Sequence, residues 1–122
     1  MYNKKVIQHF SHPKFFGKIK SPDVVGTAGN PRCGDLLTLY LKVDEKSKKI
    51  KDIKFETLGC AAAIAASDMI CELAKGKTLE QALNLSFQDV SSALGVLPPL
   101  KIHCAQLVTE ALRDAIGKYN HK

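Results

Sequence analysis

Two runs of strict alternation, joined by a short polar turn and followed by a change of period, most constrain how this chain can fold. In residues 36–43, Leu37, Leu39 and Leu41 fall on one side, and Thr38, Tyr40 and Lys42 on the other. In residues 50–58, Ile53, Phe55 and Thr57 alternate with Asp52, Lys54 and Glu56. Successive side chains of a strand point to opposite faces, so each run predicts a strand with one apolar face. The polar residues 44–49 between them predict an antiparallel hairpin. Residues 24–28 add a third strand, and Gly29-Asn30-Pro31 predicts a loop after it.

From Ala61 the pattern becomes helical. Residues 61–75 are alanine-rich and end at Gly76, which suits a helix C-terminus. Thr78 and Ser86 are N-cap residues for two short helices, through Leu83 and through Leu94, the second closed by Gly95. Pro98-Pro99 blocks helix. A last helix is predicted from about Leu100 to Gly117, with Leu100, Leu107, Val108, Ala111, Leu112 and Ala115 as its apolar stripe. Near the N-terminus, His12-Pro13 limits residues 6–11 to one short helix. Strands first and helices after predict an α+β class: a small three-stranded antiparallel sheet with helices packed on one face. The 122 residues suit a single domain, 1–122, with one modest core.

Composition narrows the function. No apolar run approaches the roughly 18 residues of a membrane span. The basic start is followed by residues 6–10, which include Gln8 and His9 and do not read as a signal sequence. The expected location is the cytoplasm, or the mitochondrial matrix in a eukaryote. Thiols stay reduced there, so four cysteines point to metal or sulfur chemistry before disulfides. The net charge is +6, and lysines cluster at Lys42, Lys46, Lys48, Lys49, Lys51 and Lys54. Such a hairpin reads first as a solvated, protected edge and second as a surface for an acidic protein. With aromatic residues at 7% and no stacking ladder, nucleic acid is not an expected partner.

Three cysteines stand where regular elements begin. Cys33 precedes the second strand, Cys60 precedes the alanine-rich helix, and Cys104 lies near the start of the last helix. Helix N-termini present unpaired N–H groups and a positive dipole end, which favours thiolate. Arg32 and Lys101 add positive charge. Asp35 sits two residues from Cys33, and His103 adjoins Cys104. A regular helix splays adjacent residues by about 100°, so His103 and Cys104 share one site only across a cluster edge or at an irregular helix start. Cys71 is eleven residues beyond Cys60, about 16 Å along a helix axis, and is expected to fill the core. His9, His12 and His121 have no such neighbours and are assigned no site role. Three thiolates with a histidine or an aspartate suit tetrahedral zinc, and equally a [2Fe–2S] cluster. The absence of a Cys-x-x-Cys pair sets the chain apart from common zinc fingers.

Cys33-Gly34-Asp35, Phe55-Glu56-Thr57-Leu58-Gly59-Cys60 followed by Ala63-Ile64-Ala65, and Leu97-Pro98-Pro99-Leu100-Lys101-Ile102-His103-Cys104 together resemble the IscU/NifU-type iron–sulfur cluster assembly scaffolds. Lys75-Gly76-Lys77 also fits, and the likeness runs from about Met1 to Tyr119. The resemblance implies a scaffold rather than an enzyme with its own substrate. Such a scaffold takes sulfur as persulfide from a cysteine desulfurase, takes up iron, and builds a [2Fe–2S] cluster, with an electron donor such as ferredoxin. It then passes the cluster to acceptor apoproteins. It implies Cys33, Cys60 and Cys104 as cluster cysteines, Asp35 and His103 as further ligands, Cys104 as sulfur acceptor and Lys101 at the site edge. Zinc would take the same ligands in the cluster-free form. The Leu97-Pro98-Pro99-Leu100-Lys101 stretch matches the family's DnaK-type chaperone motif, with Leu100 where valine is usual. Ala61-Ala62 stand where glycine and serine are common. A zinc-stabilised interaction module and a zinc-dependent sulfurtransferase acting through Cys104 are the competing readings.

Overall fold

The computed structural model describes residues 4–30, 35–57, 61–95 and 102–120, and at Asn30, Asp35, Ala61, Ala62, Ile102, His103 and Cys104 it describes the backbone alone. The elements run α1 (Lys4–Ser11), β1 (Val24–Asn30), β2 (Asp35–Val43), β3 (Ile50–Thr57), α2 (Ala61–Ala74), α3 (Leu79–Leu83), α4 (Phe87–Leu94) and α5 (Ile102–Asn120). The strands form one antiparallel sheet in the order β1-β2-β3. The alternation read from the sequence sets its faces. Leu37, Leu39, Leu41, Ile53 and Phe55 are fully buried beneath the helices, whereas Thr38, Tyr40, Lys42 and Lys54 are partly exposed on the other face. On that open face the Tyr40 hydroxyl donates to Glu56 Oε1 at 2.6 Å. The bond and the nearby carboxylate raise the Tyr40 pKa.

Several boundaries differ from expectation. Gly29 and Asn30 continue β1, pairing with Leu36 and Asp35, where a loop is predicted. Gly29 has φ 124°, a conformation that glycine adopts without a Cβ penalty. α1 starts at Lys4, ahead of the expected residue 6. α5 starts at Ile102 and runs past Gly117 to Asn120. A Cβ on Gly117 would meet nothing within 4 Å, so this position is a surface glycine and not a stop. Leu100 of the predicted stripe lies outside the described residues, while Ala105 and Ile116 join its buried part.

Both short helices begin with the predicted caps. Thr78 and Ser86 each accept the N–H three residues on, from Gln81 and Asp89, whose side chains bond back to the cap N–H. α2 ends before Gly76, at φ 87°.

α5 lies directly on β1. A Cβ at Gly26 would fall 2.4 Å from the Ala111 carbonyl oxygen and 2.6 Å from Ala115 Cβ. Only glycine admits this approach. Both edges of the sheet are covered. On β1 the Thr27 N–H donates to Asp114 Oδ2 at 2.9 Å. On β3 the Phe55 N–H donates to the Phe15 carbonyl at 2.9 Å, and Gly17 N–H donates to the Phe55 carbonyl at 2.8 Å. The chain then crosses the sheet, because Asp23 N–H bonds the Leu41 carbonyl and Val24 opens β1.

Candidate functional site

Strand register fixes one end of the sheet. Asn30 pairs with Asp35, and Leu37 with Thr57, so the finish of β1, the start of β2 and the finish of β3 lie side by side. The opposite end holds the 44–49 turn.

Both long helices begin at the first of these ends. α2 follows β3 after three residues and returns along it. Its exit meets the start of β3, where Gly76 N–H donates to the Ile50 carbonyl and Ile50 N–H to the Lys77 carbonyl, each at 2.8 Å. α5 has the same sense. Its Tyr119 ring lies under Lys48 Nζ, 5.5 Å from the centroid, in the hairpin turn. Its Asp114 reaches Thr27 in mid-strand. Ten residues back from Asp114, about 15 Å at helical rise, Cys104 lies toward the Asn30–Asp35 end. Two helix N-termini, each with N–H groups that have no partner within the helix and a positive dipole end, are therefore directed to one end of the sheet.

The predicted ligands map onto this end by chain position. Asp35 is the first residue of β2, and Cys33 precedes it by two. Cys60 falls between Thr57, which ends β3, and Ala61, which opens α2. His103 and Cys104 are the second and third residues of α5, in a regular first turn and not an irregular start. Cys33, Cys60, Lys101 and the rest of the 97–101 stretch lie outside the described residues. Among the described residues no three His, Cys, Asp or Glu side chains come together to hold a metal ion, and no helix is long and apolar enough to cross a membrane.

Cys71 is fully buried, and desolvation, reinforced by the negative charges of Asp68 and Asp52, pushes its thiol well up. It is core filler, as its axial offset from Cys60 predicts. His9 has a structural partner that its local sequence does not announce. Its Nδ1 lies 2.5 Å from Oδ2 of Asp68, a carboxylate buried in α2. The one hint in the sequence is an aspartate in the middle of the mostly apolar 61–74 run.

The profile of the NifU-like N terminal domain matches residues 1–122. The iron-sulfur cluster assembly scaffold protein IscU 1 of Archaeoglobus fulgidus is 55% identical over 122 residues, covering 100% of this chain and 78% of that protein. IscU of Aquifex aeolicus is 45% identical over 97% of this chain and 75% of its own length. Among solved structures, a putative scaffold protein for the SUF system from Fervidobacterium islandicum superposes with a TM-score of 0.77 at 26% identity, over 94% of this chain and 96% of that one. An N-terminal NifU-like protein from Brucella abortus shares the fold at TM-score 0.74 and 21% identity, over 98% and 94%. With the whole length matched by the profile and by close relatives, the chain belongs to the NifU-like N-terminal domain family, to which the IscU-type cluster assembly scaffolds are its near kin.

Proposed function

We propose that this chain is an iron–sulfur cluster assembly scaffold, one domain over 1–122, which builds a [2Fe–2S] cluster and hands it on. The observation that carries this reading is the shared direction of α2 and α5, whose N-termini meet the open end of the sheet where β2 begins. Cys33, Cys60 and Cys104 are the thiolate ligands, and Asp35 and His103 supply the remaining donors. The positive helix ends lower the cost of gathering several anionic sulfurs in a small volume. Cys104 receives sulfane sulfur from a cysteine desulfurase: its thiolate attacks the donor's persulfide, takes the terminal sulfur, and leaves the donor cysteine as thiolate. Lys101 adds positive charge at the site edge.

Iron and sulfide are cargo. Electrons to reduce the persulfide come from a donor of ferredoxin type, and apoproteins receive the product. Zinc occupies the same donors in the cluster-free form. A DnaK-type chaperone reads the 97–101 stretch. The working compartment is a reducing one, cytoplasm or mitochondrial matrix.

Anaerobic incubation with ferrous iron, cysteine, a cysteine desulfurase and a reductant tests the reading. The expected result is visible absorption of a [2Fe–2S] centre, and its transfer to an apo-ferredoxin. Protein that binds zinc tightly but develops no such absorption would be a zinc-stabilised module instead.

A further inference from the structure

The first seventeen residues carry an arrangement that the scaffold chemistry does not use. Asp68 is fully buried in α2, two turns after the helix begins. Both of its oxygens are committed to the N-terminal arm. Oδ1 accepts the Phe15 N–H at 2.9 Å, and Oδ2 contacts His9 Nδ1 at 2.5 Å. The other side of the arm is held by β3. The Phe15 carbonyl accepts Phe55 N–H, and Gly17 N–H donates to the Phe55 carbonyl. The Phe16 ring stands edge-on to the Phe55 ring, with centroids 5.5 Å apart.

Phe15 is thus bonded through its own N–H to α2 and through its own carbonyl to β3. Phe55 and Asp68 are thirteen positions apart in sequence, and Cys60 lies between them. The arm closes a triangle with the strand and the helix. Two sides are β3 and α2; the third is residue 15.

We infer that Asp68 is a positioning residue: by seating Phe15 against Phe55 it braces β3 to α2 and so fixes the junction that carries Cys60. A buried carboxylate taken out of water requires good partners on both oxygens, and here both come from one short segment, residues 9 and 15. The arrangement orders the arm at the expense of that segment's freedom, which is the signature of a brace and not of chain left over from folding. The importance of Cys60 to cluster assembly rests on the function proposed above. The brace itself does not, and it is tested without metal.

The experiment uses apo protein, with Asp68→Ala, Asp68→Asn and His9→Gln, and with Val90→Ala, a buried position of α4, as a destabilised control. Two readouts are taken: amide exchange at Phe15, Gly17 and Phe55, and the rate of iodoacetamide alkylation at each cysteine, resolved by peptide fragmentation. Asp68→Ala is expected to speed exchange at the three amides at least about ten-fold and Cys60 alkylation about five-fold, with Cys33 and Cys104 within about two-fold of the parent. Asp68→Asn, which keeps an acceptor for Phe15, should shift both readouts in the same direction by less, and it decides the matter if the alanine variant does not fold. His9→Gln, which leaves Asp68 intact, should give the smallest shift. Unchanged exchange at Phe15 would overturn the latch. Faster arm exchange with an unchanged Cys60 rate would overturn the brace, as would a rise of all three thiols in step, matching Val90→Ala.

Discussion

The two ends of the sheet are built on opposite plans. At the hairpin end the backbone is tied to itself. Gly76, Lys77 and Leu79 exchange hydrogen bonds with Ile50 and Lys48, Lys49 bridges to Thr78, and the Thr78 capping box sits alongside. Asp44 accepts the N–H groups of Lys46 and Ser47, which hold its carboxyl below the usual range. At the other end β1 finishes, β2 begins, β3 finishes and both long helices begin, and Cys33, Cys60 and Cys104 fall near these points in chain order. One end is tied by backbone hydrogen bonds, and the proposed ligands fall at the other in chain order. A cavity of about 850 Å³ lies at the hairpin end, bordered by Asp23, Glu45, Lys48, Glu80, Leu83 and Tyr119. Its charges are of mixed sign, and none of the described residues that line it is a cysteine.

The largest expected effect separates the cysteines themselves. Cys33→Ser, Cys60→Ser and Cys104→Ser should each abolish the visible absorption after reconstitution, while Cys71→Ser retains it. Normal absorption in Cys60→Ser, with loss in Cys71→Ser, would place the chemistry in the core and break the contrast. Next comes the contact that orients α5. Gly26→Val should cost about 3 kcal/mol or more in urea unfolding, because the helix backbone cannot retreat without losing the Thr27–Asp114 bond. A loss below about 1 kcal/mol would mean that α5 slides freely on β1.

A milder change at the chemical end is Asp35→Ala. Removing a hard oxygen beside soft sulfur closes a route for ligand exchange, so the cluster should decay and transfer several-fold more slowly. Faster decay would make Asp35 a retaining ligand. At the structural end, Thr78→Ala removes a cap worth about 1 kcal/mol and should leave cluster yield untouched. A drop in yield would show that the two ends are coupled.

The smallest effect concerns Asp114. The Thr27 N–H first, and then Lys118 at 3.0 Å, lower its carboxyl pKa. A lowered folded-state value means stability that is present above the ordinary carboxylate range and lost as pH falls through the folded value. With 37% of the side chain exposed, solvent screening limits this to about 0.5 kcal/mol. Asp114→Asn should therefore flatten the acid limb of a stability–pH curve slightly and change nothing at the cysteines.

What was legible in the sequence was local. Thr78 and Ser86 announce α3 and α4 because a cap and its reciprocal partner lie three residues apart. The alternation around Leu39 and Phe55 announces the hairpin for the same reason. The strand at Asn30 was not legible, since pairing with Asp35 overrides a Gly-Asn-Pro signal. The clasp between His9 and Asp68 spans 59 positions and has no motif. The candidate ligands are proposed from the sequence and its resemblance. That the helices carrying them share a direction could not be read there, because it depends on Gly26 letting α5 lie flat on β1.

The burial of Cys71 has a consequence for fidelity. Under the proposed function every bystander thiol has to stay out of the exchange, since a stray persulfide would strand cargo and a stray thiolate would compete for iron. Cys71 is not replaced by alanine or valine here; it is silenced by its surroundings. Its sulfur has no solvent contact, and the neighbouring negative charges disfavour the reactive anion. Burial and nearby negative charge together keep Cys71 as the neutral thiol, and they do so for as long as the core stays closed.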